Sequence, residues 1–349
     1  ATVAALPTSV WMSTYACTVM PARLAPMTSD SGGTVEDLGE FGLIDRLTAG
    51  GPVSGTGVVI VGPGDDTAVV AAPDGRVAIT CDVLVEGVHF RRDWSTPIDV
   101  GRKAAAASLA DVAAMGAVPT SLVVGLGTAG ELPAAWAISW AAGVREEAAL
   151  AGAVLVGGDV VQAPQIVISV TALGDLGGRE PVLRSGARPG DVLAIAGRIG
   201  WSAAGLALLS RGFRSPKVLV DAHRFPQPDY AAGVRAAEAG ASSMIDISDG
   251  LLADAGHVAS ASGVDIDVQT TGWVIPEQMQ AAAAAYNVDP REWMLTGGED
   301  HALLATFPAG AALPEGFTAI GAVTAAAGDP VVTVDGSAHA GPTGHRHFA

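Results

Sequence analysis

Five groups of acidic residues, four of them beside glycines, stand at the expected ends of β-rich runs. They are Gly64-Asp65-Asp66, Cys81-Asp82, Gly157-Gly158-Asp159, Asp246-Ile247-Ser248-Asp249-Gly250 and Gly297-Gly298-Glu299-Asp300. This pattern constrains the fold more than any other. A strand end places side chains at the rim of a sheet, where α/β proteins bind ligands. Glycine lets the backbone approach a bulky ligand without a Cβ clash. Converging carboxylates repel one another unless cations lie between them. Oxygen donors without a Cys/His cluster suit Mg²⁺, held by a few carboxylates and phosphate oxygens.

The charge balance agrees. Nineteen basic residues face 36 acidic ones, a net charge of −17. That argues against nucleic acid and anionic lipid as partners, both of which call for a basic face. Phosphorylated ligands stay open, because a divalent cation can bridge carboxylate to phosphate. Two cysteines, Cys17 and Cys81, are too few for a disulfide scaffold or a Cys-rich zinc site, and a reducing, cytoplasmic setting fits. Mean hydropathy is +0.39, but Pro119 and several glycines interrupt the uncharged run 112–130, which argues against a membrane span there. Residues 1–35 read as a disordered extension, or as upstream translation before a start near Met27.

Strand and helix patterns alternate from about Phe41 onward. Runs 67–71 and 77–80 read as a hairpin about Pro73-Asp74-Gly75. Ser95-Thr96-Pro97 announces a helix that stops at Gly116, and its Ala104–Ala107 stretch permits close approach of another element. Trp136 and Trp140, four apart on the next helix, read as packing residues. The Gly/Arg/Pro-rich stretch 177–190 marks a domain junction. The expected organisation is α/β (α+β), with one domain over 36–178 and a second over 179–349.

Several residues invite chemistry. Asp246 and Ser248, two apart, would share one face of a strand. Asp249 would cap the helix that follows. Asp111 is an acid in an Ala/Leu/Met-rich helix, placed either as a satisfied core group or as a metal ligand. No Gly-Lys pair exists, so there is no Walker A loop. Gly125, Gly127 and Gly130 form a Gly-x-Gly-x-x-Gly, but no acid stands about twenty residues on to support a dinucleotide fold. His89 follows the acidic strand end and is read either as polar surface or as a ligand contact.

Taken in order, these motifs resemble the thiamine-monophosphate kinase family, within the superfamily that includes aminoimidazole ribonucleotide synthetase. The resemblance runs through 39–44, Gly64-Asp65-Asp66-Thr67-Ala68, Thr80 to Phe90, Ser108 to Ala117 and Gly157-Gly158-Asp159. It continues through Arg184 to Asp191, Ile245 to Leu251 and Gly297 to Asp300, and covers about 39–348.

The resemblance implies the reaction ATP + thiamine monophosphate → ADP + thiamine diphosphate. It implies a two-domain synthetase-like fold and a homodimer whose first domains share a β-barrel. It implies Mg²⁺ ions held by Asp66, Thr80, Cys81, Asp82, Asp111, Asp159, Asp246 and Asp249. ATP would meet Gly158, Asp159, Arg184 and Ser248. Thiamine monophosphate would meet His89, Glu299 and His345. Two residues depart from the family pattern: Cys81 stands where Thr is common, and His345 where an aromatic residue precedes the closing His-Phe. Two alternatives remain: a related synthetase of the selenophosphate or purine cyclo-ligase type, and a non-catalytic Mg-nucleotide-binding partner protein.

Overall fold

Several helix starts in this chain are written locally, by capping residues. The computed structural model describes residues 33–345 apart from 53, 54, 56 and 63–67, and leaves out the side chains of Glu40 and Phe41. Asp66 and residues 1–32 of the expected 1–35 extension therefore lie outside the described residues, while 33–35 are ordered into the start of a helix. Thr34 opens α1 (Val35–Thr48) with a capping box to Asp37, so the helix takes in Val35. β1 (Val59–Val61) and β2 (Val69–Val70) pair with each other. After β3 (Ala78–Val85), α2 (Pro97–Ala114) starts as its sequence suggests. Thr96 and Asp99 form a reciprocal capping box, with Pro97 at the first turn. β4 (Val118–Thr128), α3 (Ala134–Leu150), β5 (Val154–Gln162) and β6 (Val167–Asp175) follow.

β3 to β6 form a four-stranded sheet in the order β3-β6-β4-β5, with only β4 and β5 parallel. The hairpin expected between 67–71 and 77–80 does not form, because β2 pairs with β1 and β3 with β6. The physical reason is burial. β3 is eight residues long, and it seats Leu84 in the core shared with α2 and β6. The Gly125 and Gly127 positions of the dinucleotide-like motif lie inside β4, where they pair with β5 and β6. They form no phosphate loop.

A short 3-10 turn at Arg184–Gly186 leads into the second half. There β7 (Val192–Ala196), α4 (Trp201–Ser210), α5 (Lys217–Arg224), α6 (Tyr230–Glu238), β8 (Ser243–Asp246) and α7 (Leu251–Ser262) succeed one another. β9 (Val264–Val268), α8 (Glu277–Tyr286), α9 (Pro290–Thr296), β10 (Leu303–Phe307), β11 (Phe317–Ala325), β12 (Val332–Val334) and β13 (Ser337–Ala338) complete it. The sheet order is β13-β12-β9-β11-β7-β10-β8, antiparallel except for β12 beside β9.

The mixed α/β class is thus observed, while the four strands of the first sheet do not close into a barrel within one chain. α2 and α3 cross very closely. A Cβ on Gly101 would lie 2.1 Å from the Trp140 carbonyl oxygen, and one on Gly143 2.2 Å from that of Ile98. Trp140 is buried at this crossing and Trp136 packs partly buried beside it, as packing residues. No described helix is long and apolar enough to cross a membrane.

Candidate functional site

β3 and α2 carry the first acids. On β3, Thr80 and Asp82 share the face toward α2, while Ile79, Cys81 and Val83 are exposed on the other face. Thr80 Oγ1 donates to Asp111 Oδ2 at 2.6 Å, and Ser108 Oγ lies 2.7 Å from Asp82 Oδ2. Ser108 and Asp111 are three apart on α2, so both face the strand. Asp246 ends β8, and Asp249 follows it in the loop before α7.

These groups act on one another. Burial, then the charges of Asp246 and Asp82, push the Asp111 carboxyl up to about 7. Burial, then Asp246, likewise pushes Asp254 up to about 7. Burial would lower the His301 imidazole, but the Asp246 carboxylate, 3.0 Å from Nδ1, raises it. The donor set is oxygen-only, and the Asp246 and Asp82 charges oppose ionisation of Asp111. Both properties fit Mg²⁺ held by Thr80, Asp82, Asp111, Asp246 and Asp249.

Beside these acids lies a cleft of about 860 Å³, lined by Asp82, His89, Trp94, Lys103, Ser248, Asp249, Trp293, Glu299 and His345 among others. His89 Nδ1 accepts from the Val85 N–H at 3.0 Å, so the neutral ring carries its proton on Nε2. Burial works to raise the Glu299 carboxyl, yet Lys103 and His223 hold it down at about 2. Burial, then the Lys103 charge, pulls His223 down to about 3, so its ring is neutral at neutral pH.

The structure separates other residues of the expected site. Gly158 and Asp159 lie on the edge strand β5 and do not line the cleft. Asp159 is in register with Gly125, Ser169 and Val83, and so points to the exposed face of the sheet, opposite Asp82. A Cβ on Gly158 would sit 2.3 Å from the Val124 carbonyl oxygen, so that glycine also serves close strand packing. The Cys81 thiol points away from the acids and lies 3.3 Å from Ser169 Oγ. Arg184 is exposed on the 3-10 turn and is absent from the cleft lining.

Two local expectations are corrected. Ser248 is not on the strand with Asp246, because β8 ends at Asp246. Asp249 does not cap α7. Asp254 takes that role from inside the helix, its Oδ2 accepting from the Asp249 and Gly250 N–H groups at 3.1 Å each. Asp249 is thereby left to face the cleft.

Sequence reasoning missed Lys103, His223, Asp254 and His301. Asp254 carries the same signal that exposed Asp111, a lone charge in an apolar helix stretch, while Lys103, next to Arg102, and the two histidines carry none. Asp300 was singled out only as part of a motif. It accepts from the Gly200 and Ser202 N–H groups at 2.5 and 2.8 Å, capping α4 from a distance. Asp300→Ala is expected to cost roughly 2 kcal/mol, read as a lower urea midpoint.

Residues 64–176 match the family described as AIR synthase related protein, N-terminal domain. The thiamine-monophosphate kinase of Mycobacterium tuberculosis is 50% identical over 316 residues, 90% of this chain and 93% of the relative. That of Corynebacterium glutamicum is 42% identical over 328 residues, 91% of this chain and 96% of the relative. Among solved structures, AaThiL complexed with AMPPCP and TMP superposes with a TM-score of 0.73 at 34% identity, covering 90% of this chain and 98% of that one. The hydrogenase maturation protein HypE, at 19% identity and a TM-score of 0.66 over 87% of this chain and 93% of that one, shares the fold alone. With curated relatives of this identity aligned along nearly its whole length, the chain belongs to the thiamine-monophosphate kinase family.

Proposed function

We propose that this chain transfers the γ-phosphoryl group of ATP directly to the phosphate of thiamine monophosphate, forming thiamine diphosphate and ADP with no phospho-enzyme. The observation that carries the reading is the likeness, over 90% of this chain, to a structure complexed with AMPPCP and TMP, supported by a cleft with acids on its wall. The acceptor is a phosphate, already ionised near neutral pH, so no strong general base is needed. The task is to bring anions together and hold them in line. Mg²⁺, when bound, neutralises the phosphates and stabilises charge as the phosphoryl group moves. Thr80 and Ser108 orient the Asp111 and Asp82 carboxylates toward it. His89, Glu299 and His345 hold the acceptor, and Ser248 meets ATP at the acid end of the cleft.

A homodimer belongs to this reading. The outer face of the four-stranded sheet exposes Ile79 (68%), Val83 (50%) and Val161 (54%), an apolar surface suited to a second copy. Asp159 lies on that same face. A shared barrel would place it, with Gly158 and Arg184, against ATP, and Asp66 would join the metal ligands. The two sheets would belong to the two domains 36–178 and 179–349.

The test measures ADP and thiamine diphosphate with Mg²⁺, offering thiamine monophosphate, free thiamine or aminoimidazole precursors. ADP formation with thiamine monophosphate alone is expected. ATP binding without turnover of any acceptor would instead favour a non-catalytic partner protein. Light scattering should give twice the chain mass, and a monomer would remove the dimer.

A further inference from the structure

We infer that Lys103 is a positioning residue that sets the spacing of the two acceptor-binding groups, His89 and Glu299, from a single ammonium. The inference rests on the thiamine monophosphate reading above and deepens it.

Lys103 lies on α2 in an alanine-rich stretch, with only 5% of its side chain exposed. A lysine that deep is costly unless its charge is paired and its donors are used. Nζ donates to the His89 carbonyl at 3.0 Å and pairs with Glu299 Oε1 at 2.9 Å. These two partners come from opposite halves of the chain, and both line the cleft. One buried cation thus ties the loop after β3 to the loop before β10.

Each partner is held a second time. The His89 ring is fixed by the Val85 N–H, so with the carbonyl anchored to Lys103 the residue is gripped at both ends. Glu299 sits at φ 63° and His301 at φ 52°, a left-handed backbone that such residues adopt only when their surroundings impose it. The Glu299 N–H donates to the Ser248 carbonyl and that of His301 to Ile247, at 2.8 and 2.9 Å. The second Glu299 oxygen lies 3.4 Å from His223 Nδ1, which is itself 3.0 Å from Ser202 Oγ. The backbone thus delivers the carboxylate to the cleft, and Lys103 from α2 and His223 from α5 fix where its oxygens stand.

A lysine serving stability alone would affect both substrates and every pH alike. A positioning lysine acts on the acceptor side and through Glu299. With the full-length chain, Lys103→Met is expected to raise the KM for thiamine monophosphate at least about thirtyfold while the KM for ATP stays within about twofold. The acid limb of kcat/KM should move to higher pH. Glu299 loses the ammonium that opposes its burial; of the other groups facing it, His223 is neutral at neutral pH and His301 is shared with Asp246. Adding Glu299→Gln should then cost little more, because both changes act through one contact. Lys103→Gln, which keeps a donor for the His89 carbonyl, should give a smaller KM rise and serves where the Met variant does not fold.

Wild-type KM values in a folded variant, an equal rise for both substrates, or an unmoved acid limb would each overturn the inference while leaving the reaction itself intact. A wild-type chain that does not phosphorylate thiamine monophosphate overturns the functional reading, and this inference with it.

Discussion

Asp111→Asn is expected to lower kcat by at least about 10³-fold while raising the melting temperature of the metal-free protein by about 2–5 °C. Both effects have one cause. Asp111 is pushed up to about 7 by burial and by the Asp246 and Asp82 charges. Its anionic form is therefore costly in the empty site and useful only when cations occupy it. The sign follows from proton linkage. The folded carboxyl binds a proton up to about pH 7, the unfolded one only up to about 4, so this group's contribution to stability falls as pH rises between them. The gap in melting temperature between variant and wild type should widen from about pH 4 to 7 and then level off. Differential scanning fluorimetry across that range, paired with an ADP-release assay, measures both. An active Asp111→Asn enzyme would remove this residue from the metal ligands. A variant less stable at pH 8 would mean that the Thr80 hydrogen bond outweighs the repulsion.

Gly101→Val is expected to destabilise the chain by roughly 3 kcal/mol or more, or to prevent soluble expression. The first added carbon would lie 2.1 Å from the Trp140 carbonyl oxygen and 2.8 Å from the Val144 nitrogen. Both atoms are backbone of α3 and cannot rotate away, so the helices must separate. Separation would open the core around Trp140, Leu109 and Val144. It would also displace α2, which carries Lys103, Ser108 and Asp111 into the site. Denaturant unfolding measures the loss. A midpoint equal to wild type would show that the crossing can relax.

The close crossing of α2 was legible in its small residues, and its start in Thr96, Pro97 and Asp99, because capping and helix contact are local properties. Asp82, Asp111, Asp246 and Asp249 were legible for a similar reason. Each breaks an apolar or β-rich pattern that needs no charge. The hairpin about Gly75 was misread because turn chemistry reports where a chain reverses, not which strand it then joins. The Asp249 cap was misread because a carboxylate one turn inside the helix, Asp254, reaches the same N–H groups. Lys103 escaped notice because its two partners, His89 and Glu299, are far apart in sequence and meet only when the two halves face each other.

Asp82 and Asp159, expected at strand ends, lie inside β3 and β5. By itself the sequence determined the α/β alternation and, through the order of its motifs, the family. These depend on local periodicity, capping and residue chemistry, which survive without knowledge of contacts. Only the tertiary structure decided which acids share a site. Strand register turns Asp82 inward and Asp159 outward from the same sheet, because successive strand residues face opposite sides. The placing of Lys103 on the cleft, and of Asp111 close to Asp82 and Asp246, depends on how α2 docks on both halves, and that is a property of packing.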